Sequence, residues 1–340
     1  MQAIFSLGSR VRLAWAVTVL FVVLSGCDDN SAGKTDAVST VARLKLVGQV
    51  GYLDIPAGGY PESGVLFVAH ADGTGAEPLV LPQGTCCPRV SRDGTKMLGF
   101  TAAGGIEGAT GRPATMNVDG SDYHEIPIQD ATLNYIPQAW SPDGTRIAFE
   151  GWDDSHNSRN GIYTARTSDG GDIKRVTSVY GIHDIPADYS PDGKYILFYR
   201  EVTPLEGEWD RNGSLWIVPA VGGKARKIET QGIRPHPSAR WSPDGTTILF
   251  SNARASSFSN LWTVNVDGSH LKKLFEGTEG RYPYFPEWSP DGSKIMFSLM
   301  TLGDYYTHPT SSVYVINADG SNPTKVIGDQ HYKALFGWWQ

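Results

Sequence analysis

The chain has 340 residues and a net charge of −7, from 29 Lys and Arg against 36 Asp and Glu. No basic run exceeds two residues, so binding through a clustered phosphate-neutralising face is excluded, and no nucleic-acid partner is expected. Thirty-nine Gly, 21 Pro and 11% aromatic residues, without a long Ala/Glu/Lys/Leu-rich stretch, predict one all-β domain of short strands joined by tight turns.

The chain opens with Arg10 and Arg12 ahead of an apolar run, Leu13 to Leu24, interrupted only by Thr18. At roughly 12 residues the run suits a secretory signal better than a membrane span, which needs about 20. Leu24-Ser25-Gly26-Cys27 then resembles the bacterial lipobox, and acyl chains on Cys27 would anchor the protein, since a single chain binds only marginally. Residues 1–26 are thus read as a lipoprotein signal peptide and 27–44 as a lipidated, polar tether. Cleavage would leave 27 basic against 36 acidic residues, a net −9. The expected location is the cell envelope, on the periplasmic or other extracytoplasmic side, with Asp28 resembling an inner-membrane retention signal. Cys86 and Cys87 are adjacent and allow either a strained vicinal disulfide or two buried thiols.

From residue 45 onward the sequence repeats itself. Ser-Pro-Asp-Gly occurs at 141–144, 190–193, 242–245 and 289–292, with Ser-Arg-Asp-Gly at 91–94, so the serines are 50, 49, 52 and 47 residues apart. Val90, Trp140, Tyr189, Trp241 and Trp288 precede the motifs, and alternating apolar stretches such as Arg146-Ile147-Ala148-Phe149 follow them, predicting half-buried strands. The motif is turn chemistry: Pro presets φ, Asp bonds nearby backbone and Gly accepts the left-handed conformation.

A second set of turns, Asp72-Gly73, Asp119-Gly120, Asp169-Gly170, Gly222-Gly223, Asp267-Gly268 and Asp319-Gly320, alternates with the first. The unit is therefore four strands, A to D, with tight A–B and C–D turns and longer B–C and D–A loops. Units of this length and strand count predict a six-bladed β-propeller over 45–340. Trp339 falls 51 residues after Trp288, where a sixth aromatic belongs, so Tyr332–Trp339 is expected to be strand A of a blade whose other strands come from Leu46–Leu53, Val65–Ala69 and Pro78–Leu81. Sharing that blade closes the ring.

Trp-Ser-Pro-Asp-Gly, an Ile-x-Phe strand, Ile162-Tyr163-Thr164, an Asp-Gly turn and Lys174-Arg175-Val176-Thr177 together resemble the TolB-type propeller repeat. TolB itself carries an α/β domain before its propeller, where this chain is read as having only a tether, and the resemblance does not transfer TolB's partners.

The tight turns must share one face of the ring, leaving the B–C and D–A loops on the other as the expected binding face. Its candidates are Trp152, Asp153, His156, His183, Glu206, Trp209, Asp210, Arg211, Arg234, His236, Arg281, Tyr282, Tyr284, His308 and His331, a set rich in the aromatics and arginines that anchor interfaces. Trp152 and Trp209 read as loop packing or as sugar platforms, and Arg234 and Arg281 as grips for an anion or as structural ion pairs. His183, His236 and His331 begin A strands and could meet as metal ligands, but their offsets of six, five and eight residues from the next aromatic do not repeat, and no cofactor is expected. No nucleophile elbow, His-Glu-x-x-His or phosphate loop is present. The expected function is a non-catalytic, monomeric envelope lipoprotein binding a protein or peptide. A metal-dependent lyase, since oligogalacturonate lyases resemble this repeat, and a small-ligand sensor using the central channel are the alternatives.

Overall fold

The computed structural model describes residues 46–340 apart from 57–63, 83–84, 102–111, 129, 131–132, 154–155, 179–181, 203–212, 253–258, 302–309 and 329–330. The signal segment, Cys27, Asp28 and the tether lie outside the described residues, as do Glu206, Trp209, Asp210, Arg211 and His308.

Among the described residues, 24 strands form six antiparallel four-stranded sheets. The chain enters on β1 (Gln49–Ile55), β2 (Val65–His70) and β3 (Glu77–Leu79), close to the three early segments expected. Blade one follows as β4 (Thr85–Val90), β5 (Lys96–Thr101), β6 (Arg112–Asn117) and β7 (His124–Glu125). Blade two is β8 (Asn134–Trp140), β9 (Arg146–Trp152), β10 (Gly161–Arg166) and β11 (Lys174–Arg175), and blade three is β12 (Ile182–Tyr189), β13 (Tyr195–Val202), β14 (Gly213–Pro219) and β15 (Arg226–Lys227). Blade four is β16 (Arg240–Trp241), β17 (Thr247–Ser251), β18 (Leu261–Asn265) and β19 (Lys272–Phe275). Blade five is β20 (Arg281–Trp288), β21 (Lys294–Thr301), β22 (Thr310–Asn317) and β23 (Thr324–Gly328), after which β24 (Tyr332–Trp339) returns to β1 and completes blade six.

That closure is specified by contact as well as by pairing. β24 runs antiparallel to β1 from Gln49 opposite Trp339 to Ile55 opposite Tyr332. The Trp338 and Trp339 indole nitrogens donate to the Val47 carbonyl at 3.0 Å and to Gln49 Oε1 at 3.2 Å. Gly48 has φ of +97°, and a Cβ there would lie 2.0 Å from the Trp339 carbonyl oxygen, so only glycine admits this approach.

The A–B turns are built as their sequence requires. In the turn at 242–245, Gly245 N–H donates to the Ser242 carbonyl, Ser242 Oγ donates to Asp244 Oδ1 at 2.5 Å, and Asp244 also accepts Thr246 N–H. The same Ser–Asp bond recurs at Ser91, Ser141, Ser190 and Ser289.

One expectation is corrected by the packing. The B strands are not half-buried: Ile147, Ala148 and Phe149 are all fully buried, as are Ile248, Leu249 and Phe250. Successive side chains point to opposite faces of a strand, so this run of apolar residues means that both faces of each blade are covered. Apolar clusters fill the spaces between blades. Leu197, Tyr199 and Leu215 of blade three meet Trp241, Ile248 and Phe250 of blade four, and Met97 and Met116 of blade one meet Leu79, Phe336 and Trp339 of blade six. The core is therefore a ring of inter-blade layers around a channel lined by the A strands.

Candidate functional site

The A strands begin on the loop face, and side chains near their first residues meet partners within their own blade and across to the next. His183 on β12 reaches Glu150 on β9, Nδ1 to Oε1 at 3.1 Å. Its neighbour Asp184 is buried and accepts a bidentate bond from Arg200, both contacts at 2.7 Å, while that guanidinium lies over Trp216 at 4.7 Å. His236 bonds Ser238 Oγ at 2.9 Å and sets its ring edge-on to Tyr284, 5.5 Å away. His331 contacts Asp54 at 3.1 Å, and Asp54 also holds the buried Lys333 ammonium at 2.6 Å. The three histidines thus have three different partners. Among the described residues, no three His, Cys, Asp or Glu side chains are grouped to hold a metal ion.

The β9–β10 loop is organised by a buried carboxylate. Asp153 accepts Arg159 Nη1 at 2.9 Å and His156 N–H at 3.0 Å, and Arg159 also pairs with Asp130. This consumes Asp153 in holding the loop, which includes a 3-10 turn at Asn157–Arg159, and leaves His156 exposed and Trp152 half-buried on the strand end. Arg234 and Arg281 are exposed, with Arg281 3.4 Å from the Tyr314 hydroxyl. Tyr282 is buried and accepts a bond from Gly280 N–H, while Tyr284 is half-buried. Burial, and secondarily Tyr284, push the Tyr332 hydroxyl well above the ordinary tyrosine range, so it remains neutral at the loop-face end of β24.

At the opposite, tight-turn end, the A strands enclose a cavity of about 190 Å³. The residue just before the large apolar residue that ends each blade's A strand lines it: Arg89, Ala139, Asp188, Arg240, Glu287 and Trp338. β4, β8, β12 and β20 carry a register irregularity just before this position, which turns the strand so that its last side chains address the channel mouth. In β4 and β20 it contains a residue with positive φ, Cys87 at 62° and Phe285 at 50°. Cys87 is part-buried there, whereas the side chain of Cys86 lies outside the described residues.

Four of the six ring positions are charged. Arg240 grips Glu287, with Nε to Oε1 at 3.0 Å and Nη2 to Oε1 at 2.9 Å, and Asp188 accepts Trp241 N–H at 3.0 Å. Burial opposes charge on Arg240, but Glu287 and Asp188 outweigh it and hold its pKa above the usual value. Burial raises Asp188 against the pull of Arg240 and Arg92. Arg89 is different. Burial first and Arg240 second press its guanidinium down to about 10. Sequence reasoning passed over this ring, although its signal is there: the column two residues before each motif serine, with Trp338 at the matching place in blade six, reads Arg, Ala, Asp, Arg, Glu, Trp, and a position with alternating charge asks for a reason.

A family model described as the TolB beta propeller domain matches residues 65–338. The chain belongs to the TolB β-propeller family. TolB from Acinetobacter baumannii superposes with a TM-score of 0.60 at 18% identity, covering 85% of this chain and 67% of that one. A putative TolB from Agrobacterium tumefaciens gives 0.58 at 20% identity, covering 85% and 99%. These likenesses concern the fold. An uncharacterised protein of Agrobacterium fabrum is 29% identical over 147 residues, 40% of this chain and 45% of its own length. The chain spans less than half the length of the curated relatives it matches. Within this TolB-type propeller, no described helix is long and apolar enough to cross a membrane.

Proposed function

We propose that this TolB-type propeller is an envelope lipoprotein that binds a protein or peptide partner through its loop face, without catalysis. The observation that carries the reading is the contrast between the two ends of the blades. The A–B turns bond their Ser, Asp and backbone groups among themselves. The loop face instead presents Trp152, Arg234, Arg281 and Tyr284 around the channel, side chains that gain most from being covered. Its acids and histidines are tied into structural pairs: Asp184 to Arg200, Asp153 to Arg159, His183 to Glu150 and His331 to Asp54. Groups held this way suit a rigid binding surface. The lipobox-like Leu24-Ser25-Gly26-Cys27 supports anchoring of that surface to a membrane, with the intervening residues as tether.

The test is site-specific photocrosslinking in intact cells, with the probe at Trp152 or Arg281 on the loop face and at Asp143 or Asp244 on the tight-turn face. Loop-face probes are expected to capture one common envelope protein, tight-turn probes to miss it, and a Cys27→Ala chain to lose most of the capture with its anchor. Failure at every loop-face position, or equal capture from both faces, contradicts the proposal.

A further inference from the structure

Three guanidinium groups and two carboxylates line the cavity at the tight-turn mouth: Arg89, Arg92 and Arg240 against Asp188 and Glu287. The two carboxylates are already committed. Glu287 is bound by Arg240, and Asp188 accepts the Trp241 backbone N–H beside the same guanidinium. The Arg89 side chain makes no hydrogen bond or ion pair among the described residues, although its own carbonyl accepts the Trp140 indole N–H at 2.9 Å and so fixes its backbone. A rigidly held arginine, facing a cavity and sharing it with a second cation, is an arrangement that folding alone does not favour. The depressed Arg89 pKa has the same origin.

From this geometry we propose that the tight-turn mouth of the channel binds a small polyvalent oxyanion, a phosphate or a dicarboxylate, with Arg89 as its anchor and Arg240 as a second, pre-positioned cation. A guanidinium offers a planar fork of N–H donors that matches phosphate and carboxylate oxygens. The cavity of about 190 Å³ has room for such an ion with a few waters, each occupying about 30 Å³ in the liquid. Trp140, Trp241 and Trp338 wall the site and restrict its hydration, which strengthens the charge interaction. The field of the whole protein cannot account for an anion here, because the chain is net negative. Attraction has to come from the ring itself. Arg92, on the first A–B turn, adds an exposed cation at the entrance. The site lies at the other end of the blades from the proposed partner surface, so either reading stands or falls without the other.

The experiment is a tryptophan-fluorescence titration of the detergent-solubilised full chain with inorganic phosphate and with succinate, at constant ionic strength and with chloride as control. Both probes are expected to give a saturable change with a midpoint below about 5 mM, and Arg89→Ala to weaken it by about tenfold or more, with Arg89→Lys intermediate. Without ligand, Arg89→Ala is expected to melt close to the parent, since it breaks no hydrogen bond and gives up the attraction of Glu287 and Asp188 together with the larger costs of burial and of repulsion from Arg240. Arg234→Ala on the loop face should titrate like the parent. No saturable response to either anion, an Arg89→Ala curve matching the parent, or an Arg89→Ala chain that unfolds or melts clearly lower would each overturn the proposal. The last of these would make Arg89 a structural residue.

Discussion

Asp188, Arg240 and Glu287 sit on three adjacent blades, and Arg240 feels both carboxylates. Burial alone would neutralise Asp188 and weaken Arg240, whereas the carboxylates on both sides keep the guanidinium charged. Removing the central member takes from Glu287 the guanidinium that grips it and from Asp188 its strongest cationic neighbour. Arg240→Met is therefore expected to destabilise the fold by about 3 kcal/mol in urea unfolding, the usual cost of breaking such a pair from one side. The turn carboxylates behave oppositely. Ser190 Oγ, followed by the Lys194 backbone N–H, holds Asp192 at about 2, below its ordinary value. A depressed carboxylate pKa contributes stability that is fully present above about pH 4 and is lost as pH falls toward the folded value. The channel residues show what sequence reading reaches and what it does not. Asp192 was legible as a turn former because its partners lie within five residues, while Asp188, four positions earlier, has its meaning set by Arg240, 52 positions away.

Strands and turns were the most legible level, because their determinants are local. Each Ser-x-Asp-Gly turn forms where its four residues stand, with Gly94, Gly144, Gly193, Gly245 and Gly292 all at positive φ. The irregularity before the channel residue was not legible, since Cys86-Cys87-Pro88 and Tyr284-Phe285-Pro286 share no local signature beyond proline. Burial on both faces of the B strands was misjudged for a related reason: an Ile-Ala-Phe run reads as partial alternation until a neighbouring blade is placed against each side. The C–D turns carry inter-blade contacts of their own. Gly170, at φ +65°, would place a Cβ 2.5 Å from the Pro127 carbonyl of the preceding blade. Gly170→Ala thus meets both backbone strain and a backbone clash, and is expected to lower stability by about 2 kcal/mol in chemical denaturation, more than exposed-turn glycines usually cost.

At the scale of the whole molecule, six sheets share one ring, and each has both faces packed against neighbours. A sheet with an open edge would expose unpaired backbone and its apolar flank together. The chain avoids this by bringing β24 back to β1, where Trp339 is nearly wholly buried against blades six and one. This closure was legible from spacing alone, since a sixth aromatic at the right interval implied a sixth strand A. The loop-face site was legible only as a list of exposed residue types. Which of them are consumed by structural pairs depends on contacts such as Asp184 with Arg200 across a strand pair and His183 with Glu150 across blades, which no local pattern encodes. The ring is the frame on which both proposed sites rest, and the thermal unfolding of a chain ending at His331, compared with the full chain, tests it most directly. Loss of β24 should remove the cooperative transition of the parent or lower its midpoint by more than about 10 °C, because it opens the sheet and empties two inter-blade layers at once. A truncated chain that melts cooperatively at the parent's temperature would contradict the closed six-bladed ring.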